Sequence, residues 1–257
     1  MDDEPEAYML RGGFPRSILA RSDGSSFTWR LDFIATFLER DLLQWAGFSP
    51  ATMRRLWQML AHMNGQTVNY TSLGNALGVS SPTIRNYIDL LLGTYMVLPV
   101  LPFLNNLGKR LVKTPKVYLS DPGIVNALLD IQSVNQLLGH PSFGTLWETV
   151  ILSQLRGHFA NARISFYRTA QGSEVDFVWE TGGKRIAIEC KATLSPTLTR
   201  GNHQAIADIE PDETLVVSPV KQGWPLKPGI RVVNPRELVE ILESTGSDIV
   251  RPADPYV

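Results

Sequence analysis

Four side chains in the second half of the chain are of types that handle divalent cations and phosphate: Glu148, Asp176, Glu189 and Lys191. Carboxylate oxygens are hard donors that suit Mg2+ or Mn2+, ions that keep several of their waters. A lysine beside them can position or activate a water, or stabilise negative charge developing at a phosphate. Such a set would have Asp176, Glu189 and Glu148 as metal ligands and Lys191 as the cationic partner.

The spacing gives reason to group them. The stretch EVDFVWETGGKRIAIECKA, Glu174 to Ala192, reads as two apolar strands around Gly182-Gly183, a dipeptide that supports a two-residue hairpin turn. Thr181 then faces Lys184, and the same register carries Asp176 opposite Glu189. Alternation places Val175, Phe177 and Trp179 with Ile186, Ile188 and Cys190 on one apolar face. Glu174, Asp176 and Val178 lie on the other face, with Ala187, Glu189 and Lys191. Two like charges roughly 5 Å apart destabilise a hairpin unless a cation or a proton lies between them. A divalent cation would meet that need; the alternative is a solvated outer face whose acids sit beside Lys191 and Lys184.

The third acid lies on an amphipathic helix, GTLWETVILSQLRGHF, where Glu148 shares a stripe with Thr145, Ile151, Leu152 and Leu155. A carboxylate on a sheet-facing stripe needs something positive to meet it, unless it sits at the stripe's edge and reaches water.

The elements around these residues follow from period and punctuation. Strands are expected at Val117 to Ser120, Arg163 to Arg168, Val175 to Trp179, Arg185 to Cys190, Leu215 to Ser218 and Ile230 to Val233. Asp121 caps a helix with Pro122 in its first turn, another helix covers His203 to Ile209, and PRELVEILE closes the order. From the long helix onward the order α-β-β-β-α-β-β-α predicts a mixed sheet with helices on its faces.

Ahead of this lies a helical part. Leu31, Ile34, Ala35, Leu38 and Leu42 have helical spacing, as do Met53, Leu56, Trp57 and Leu60. NYTSLGNALGVSSPTIRNYIDLLLGTY has the plan of a helix-turn-helix: Leu73, Ala76 and Leu77 face inward, Gly78 breaks the first helix, Ser81 caps the second and Pro82 fits its first turn. Ile84, Tyr87, Ile88, Leu91 and Leu92 continue inward, leaving Thr83, Arg85, Asn86 and Asp89 outward, and MVLPVLPF resembles a short wing. Such a helix could lie in a DNA major groove with Arg85 and Asn86 at base edges. Against that, the only Lys, Arg, Asp or Glu from Pro50 to Val100 are Arg54, Arg55, Arg85 and Asp89, so a protein-docking role is the competing expectation.

Composition sets limits. With 24 Lys and Arg against 25 Asp and Glu, no global basic field announces a nucleic acid, so any such contact must use local patches. The single cysteine, Cys190, cannot form an internal disulfide and is expected as a buried thiol. The acidic start MDDEPEA is unlike a signal peptide and no apolar run reaches the roughly 20 residues needed to span a bilayer, which makes the cytoplasm the expected location. No GxxxxGK[ST] phosphate loop occurs, so ATP hydrolysis is not expected of this chain alone.

Asp176 followed by Glu189-Cys190-Lys191, behind an acid-bearing helix in an αβββαβ order, resembles the PD-(D/E)XK restriction-endonuclease-like superfamily. By that resemblance Asp176, Glu189 and Lys191 match the D and ExK of the motif, and Glu148 matches the acid many members carry on the first core helix. A longer resemblance rests on LRGGFP, LERDLL, the helix-turn-helix, KTPKVYLSDPGIVNALL, GTLWETVILSQL, YRTAQGSEVDFVWE and IECKA. Together these are similar to the C-terminal region of a large prokaryotic family of uncharacterised ATP-binding proteins, a domain of unknown function usually preceded by an AAA+ ATPase module. The chain departs from that layout in lacking a Walker motif, as an excised region or a natural short member would. The resemblance implies an α+β chain: a helical region over 1–110 with a winged helix-turn-helix at about 50–103, then a nuclease-like domain over 111–257. It implies a metal-dependent nuclease acting on DNA, with an AAA+ module as partner in cis or trans. The alternative is a non-catalytic module that docks to nucleic acid or protein.

Overall fold

A computed structural model describes residues 5–41, 48–103 and 111–245. Residues 1–4 of the acidic start, together with Leu42 and Leu43, lie outside the described residues. The architecture is mixed α/β with a mixed sheet, and the chain divides into two compact units, Met1–Leu101 with Thr114–Ser153, and Pro102–Lys113 with Gln154–Val257. Among the described residues no helix is long and apolar enough to cross a membrane.

The first unit opens with α1 (Pro5–Arg11), α2 (Pro15–Ile18) and α3 (Asp23–Thr36), the last started by a capping box between Ser22 and Ser25. A π-helical turn at Phe37–Asp41 follows. Phe37 and Leu38 are buried with Phe27, Arg30 and Ile34 at ordinary three- and four-residue helical spacing, while Leu31 and Ala35 of the expected stripe are only half-buried, because the inward face includes Arg30, which an apolar pattern passes over. Helix α4 (Pro50–His62) buries Met53, Leu56, Trp57 and Leu60 as its spacing predicts, and Trp57 meets Phe37 with ring centroids 5.3 Å apart.

Next come β1 (Gln66–Thr67), α5 (Tyr70–Leu77), α6 (Ser81–Gly93), β2 (Val97–Pro102) and β3 (Lys116–Leu119). The three strands pair antiparallel in the order β1-β3-β2. Gly78 ends α5 in the left-handed region at φ 69°, which its missing Cβ permits. The cap of α6 differs from the expected Ser81. Ser80 takes that place, accepting from the Thr83 N–H at 3.2 Å, while the Ser81 hydroxyl turns back to Thr71. Ala76 is exposed rather than inward. The turn packs instead on Gly74, where a side chain would collide with the Val79 carbonyl.

Helices α7 (Pro122–Leu128), α8 (Val134–Gly139) and α9 (Phe143–His158) follow, with Asp121 capping α7 as expected. The LRGGFP and SDPG segments meet here. The Asp121 carboxylate accepts from the Gly13 N–H at 2.7 Å and the Ile124 N–H at 2.9 Å, and a Cβ at Gly123 would strike the Arg11 carbonyl. Beneath them the fully buried Arg30 donates to the carbonyls of Leu10 and Gly123, both at 2.8 Å. Burial pushes the Arg30 pKa down to about 10, against the opposing pull of Asp121, and burial likewise raises Asp121.

The second unit contains β4 (Arg163–Arg168), β5 (Glu174–Thr181), β6 (Lys184–Cys190), α10 (Arg200–Ile209), β7 (Glu213–Val217), β8 (Trp224–Lys227), β9 (Ile230–Val233) and α11 (Pro235–Thr245). Its strands run β4-β5-β6-β7-β9-β8. The β4-β5-β6 meander is antiparallel, β6-β7-β9 is parallel, and β8 returns antiparallel on β9. The edge strand β8 has no counterpart among the expected elements: Pro225 and the neighbouring glycines and prolines read as loop, yet an outer strand tolerates proline.

Candidate active site

The hairpin turn is as the Gly-Gly dipeptide predicts. Gly182 and Gly183 both have positive φ, 52° and 78°, and Thr181 stands opposite Lys184. The ladder continues to Phe177 opposite Ile188 and ends there, one step short of the expected Asp176–Glu189 pair. At that step the Asp176 Oδ2 accepts the Cys190 N–H at 2.8 Å.

A bulge lies at the same place. Ser165 pairs with Val178 but Tyr167 pairs with Val175, so Asp176 and Phe177 together face the single residue Phe166. The extra residue reverses the alternation before it. Val175, expected beside Phe177 and Trp179, instead packs with Val178 and Ala187 against Ala205 and Ile209 of α10. The opposed acids are therefore not on a solvated face: Asp176 is 8% and Glu189 4% exposed. Cys190 is buried, as its strand position predicts.

Glu189 Oε1 accepts from the Lys191 ammonium at 2.8 Å and from the Asn202 side-chain amide at 2.9 Å. Burial alone would lower the Lys191 pKa, but the Glu189 charge and hydrogen bond, with Asp176 adding its own pull, hold it above the ordinary value. That favours the charged form of Lys191 beside Glu189. Lys191 is also the exposed edge of the group, with 26% of its side chain accessible.

Asn202, on the first turn of α10, carries no motif that points to the site. The Thr199-x-x-Asn202 spacing signals a capping box, which forms, but says nothing of a reach to Glu189. Deeper on α10, Asp208 accepts the Tyr167 hydroxyl at 2.8 Å, and burial with that carboxylate raises the tyrosine pKa.

Glu148 belongs to the first unit, where it is half-buried and its Oε2 accepts the Tyr118 hydroxyl at 2.7 Å. Among the described residues no three His, Cys, Asp or Glu side chains gather as a metal-binding group. Asp176 and Glu189 nonetheless fit a Mg2+ or Mn2+ site of the open kind, in which one or two carboxylates are completed by waters and phosphate oxygens. Of the outward residues of α6, Arg85 and Asn86 are exposed. Arg85 lies over the Tyr70 ring at 4.6 Å, and the Thr83 hydroxyl meets Ser80 at 2.8 Å.

The sequence profile described as Domain of unknown function (DUF8612) matches residues 2–135, just over half of the chain. The chain belongs to this family. A second profile, Domain of unknown function (DUF4143), matches residues 143–238, a stretch that contains Glu148, Asp176, Glu189 and Lys191. Two uncharacterized proteins, Rv2008c of Mycobacterium tuberculosis and Mb2031c of Mycobacterium bovis, are each 38% identical over 218 residues, covering 84% of this chain and 49% of theirs. The chain thus spans about half the length of these curated relatives. Among solved structures, Can2 from Sulfobacillus thermosulfidooxidans in complex with cyclic tetra-adenylate aligns at 17% identity and TM-score 0.28, over 92% of this chain and 58% of that one. Protein VC1899 from Vibrio cholerae aligns at 12% and 0.28, over 91% and 57%. At that score neither likeness carries an assignment.

Proposed function

We propose that the second unit is the core of a metal-dependent nuclease of the PD-(D/E)XK type, acting on DNA. The observation that carries this reading is the pairing of two buried carboxylates, Asp176 and Glu189, on adjacent strands with an ammonium, Lys191, 2.8 Å from Glu189. Asp176 and Glu189 would hold Mg2+ or Mn2+, which when bound polarises a phosphoryl oxygen and makes a nucleophile available at neutral pH. The chain's own residues do the rest. The Cys190 N–H fixes Asp176, and Lys191 with Asn202 fixes Glu189, so the oxygens keep their places. Lys191, at the exposed edge, offers its charge to a phosphate as negative charge develops there.

The first unit supports a role in holding the duplex. Its order α4-β1-α5-α6-β2-β3, with the sheet β1-β3-β2, supports reading it as a winged helix, and α6 turns Arg85 and Asn86 outward. The greater length of the relatives leaves room for an ATPase module of the AAA+ kind, which we propose as the partner. A non-catalytic docking module is the second reading. It is favoured by the hydrogen bonds that Asp176 and Glu189 already accept within the protein, since a buried ion pair so supplied can persist as a structural feature.

Cleavage decides between them. Purified protein with Mg2+ or Mn2+ is expected to cut at least one of single-stranded, duplex or branched DNA, or RNA. Lys191→Met, which keeps most of the stem's packing, should lower the rate about 100-fold while leaving the fold intact. No cleavage of any substrate, alone or with a cognate ATPase module, would favour the docking role. Cleavage that survives Lys191→Met unchanged would show the site to be elsewhere.

A further inference from the structure

Resting on the reading of Asp176, Glu189 and Lys191 as the reacting site, we propose that Asn202 is the positioning residue of Glu189, tying the acid to the start of α10. Asn202 is 6% exposed, and its side-chain amide has no spare capacity. Oδ1 accepts from the Thr199 N–H and the Thr199 hydroxyl, both at 2.9 Å, while Nδ2 donates to the Glu174 carbonyl at 3.0 Å and to Glu189 Oε1 at 2.9 Å. A primary amide offers two donors and accepts at two positions, so every one is used. The Thr199 N–H can only donate, which fixes the oxygen end towards the cap and the NH2 end towards the carboxylate.

That asymmetry separates two roles. Capping α10 requires only the oxygen, and an aspartate would supply it equally well. Holding Glu189 requires the nitrogen. The amide also grips β5 through the Glu174 carbonyl, two residues before Asp176, so one side chain ties together both acid-bearing strands and the helix covering them. Lys191 shares Oε1 with Asn202. When the ammonium turns to a phosphate, Asn202 remains as the donor that keeps Glu189 from swinging away.

The test uses the full chain and three variants. Asn202→Ala should lower both Mn2+ affinity, measured by calorimetry, and turnover by about 10- to 100-fold, the range typical of lost outer-shell partners, with KM for the nucleic acid unchanged. Asn202→Asp keeps the cap but presents an acceptor to Glu189. The carboxylate it places against the buried Glu189 should lower its melting temperature below that of wild type, and turnover should fall to a similar extent. Thr199→Ala weakens the same helix start without touching Glu189, and should stay within about twofold of wild type, since no outer-shell partner of the acid is lost. Turnover of Asn202→Asp equal to wild type, or Thr199→Ala as damaged as Asn202→Ala, overturns the positioning role and leaves the nuclease reading standing. Should Asn202→Asp not fold, the Asn202→Ala and Thr199→Ala comparison decides alone. Wild type that neither binds Mn2+ nor cuts brings down the nuclease reading and this proposal together.

Discussion

At the scale of single residues, the site depends on how buried charges are met. Asp176 and Glu189 could be brought to neighbouring positions on adjacent strands from sequence, because a Gly-Gly turn fixes a register, although the ladder stops one step before them. Asn202 could not, because its reach depends on where α10 settles on the sheet, which no local pattern encodes. Glu148 shows the same limit. Its helical stripe announces a carboxylate in need of a partner, and the Tyr118 hydroxyl donates to it at 2.7 Å. Tyr118→Phe removes that donor and should cost about 1 kcal/mol of stability in urea unfolding, as for a typical hydrogen bond. An unchanged midpoint would mean that the hydroxyl is dispensable there.

At the scale of elements, apolar period located most helices and strands, while irregularities escaped it. The bulge at Asp176–Phe177 inserts one residue into a regular pattern, so the faces read correctly on one side of the insertion and wrongly on the other. Glycine motifs were legible as punctuation but not as close contacts. Gly123 sits against the Arg11 carbonyl, so Gly123→Ala should destabilise the first unit towards the top of the about 1–3 kcal/mol range for overpacking, read from denaturant midpoints. The helix-turn-helix makes its own prediction. Arg85→Ala with Asn86→Ala should weaken duplex binding by about 1–3 kcal/mol if they reach base edges, and affinity should fall steeply with salt. A flat salt dependence would support protein docking by this element.

At the scale of the whole molecule, the near balance of 24 basic and 25 acidic residues means that any nucleic-acid contact is local, not a property of the chain's overall field. The two family profiles, over residues 2–135 and 143–238, place the motif-bearing hairpin within the second, and the helix-turn-helix within the first. The mixed sheet was legible because strand and helix periods alternate along the second half. Its outermost strand was not, since β8 is short, proline-containing and mostly exposed.

Calorimetric titration of Mn2+ into the wild-type chain and Asp176→Ala tests the central claim most directly, because the carboxylate pair is offered as the metal-holding core. Wild type should show a saturable binding event that Asp176→Ala abolishes and Lys191→Met retains. Equal Mn2+ affinity in wild type and Asp176→Ala would contradict that claim.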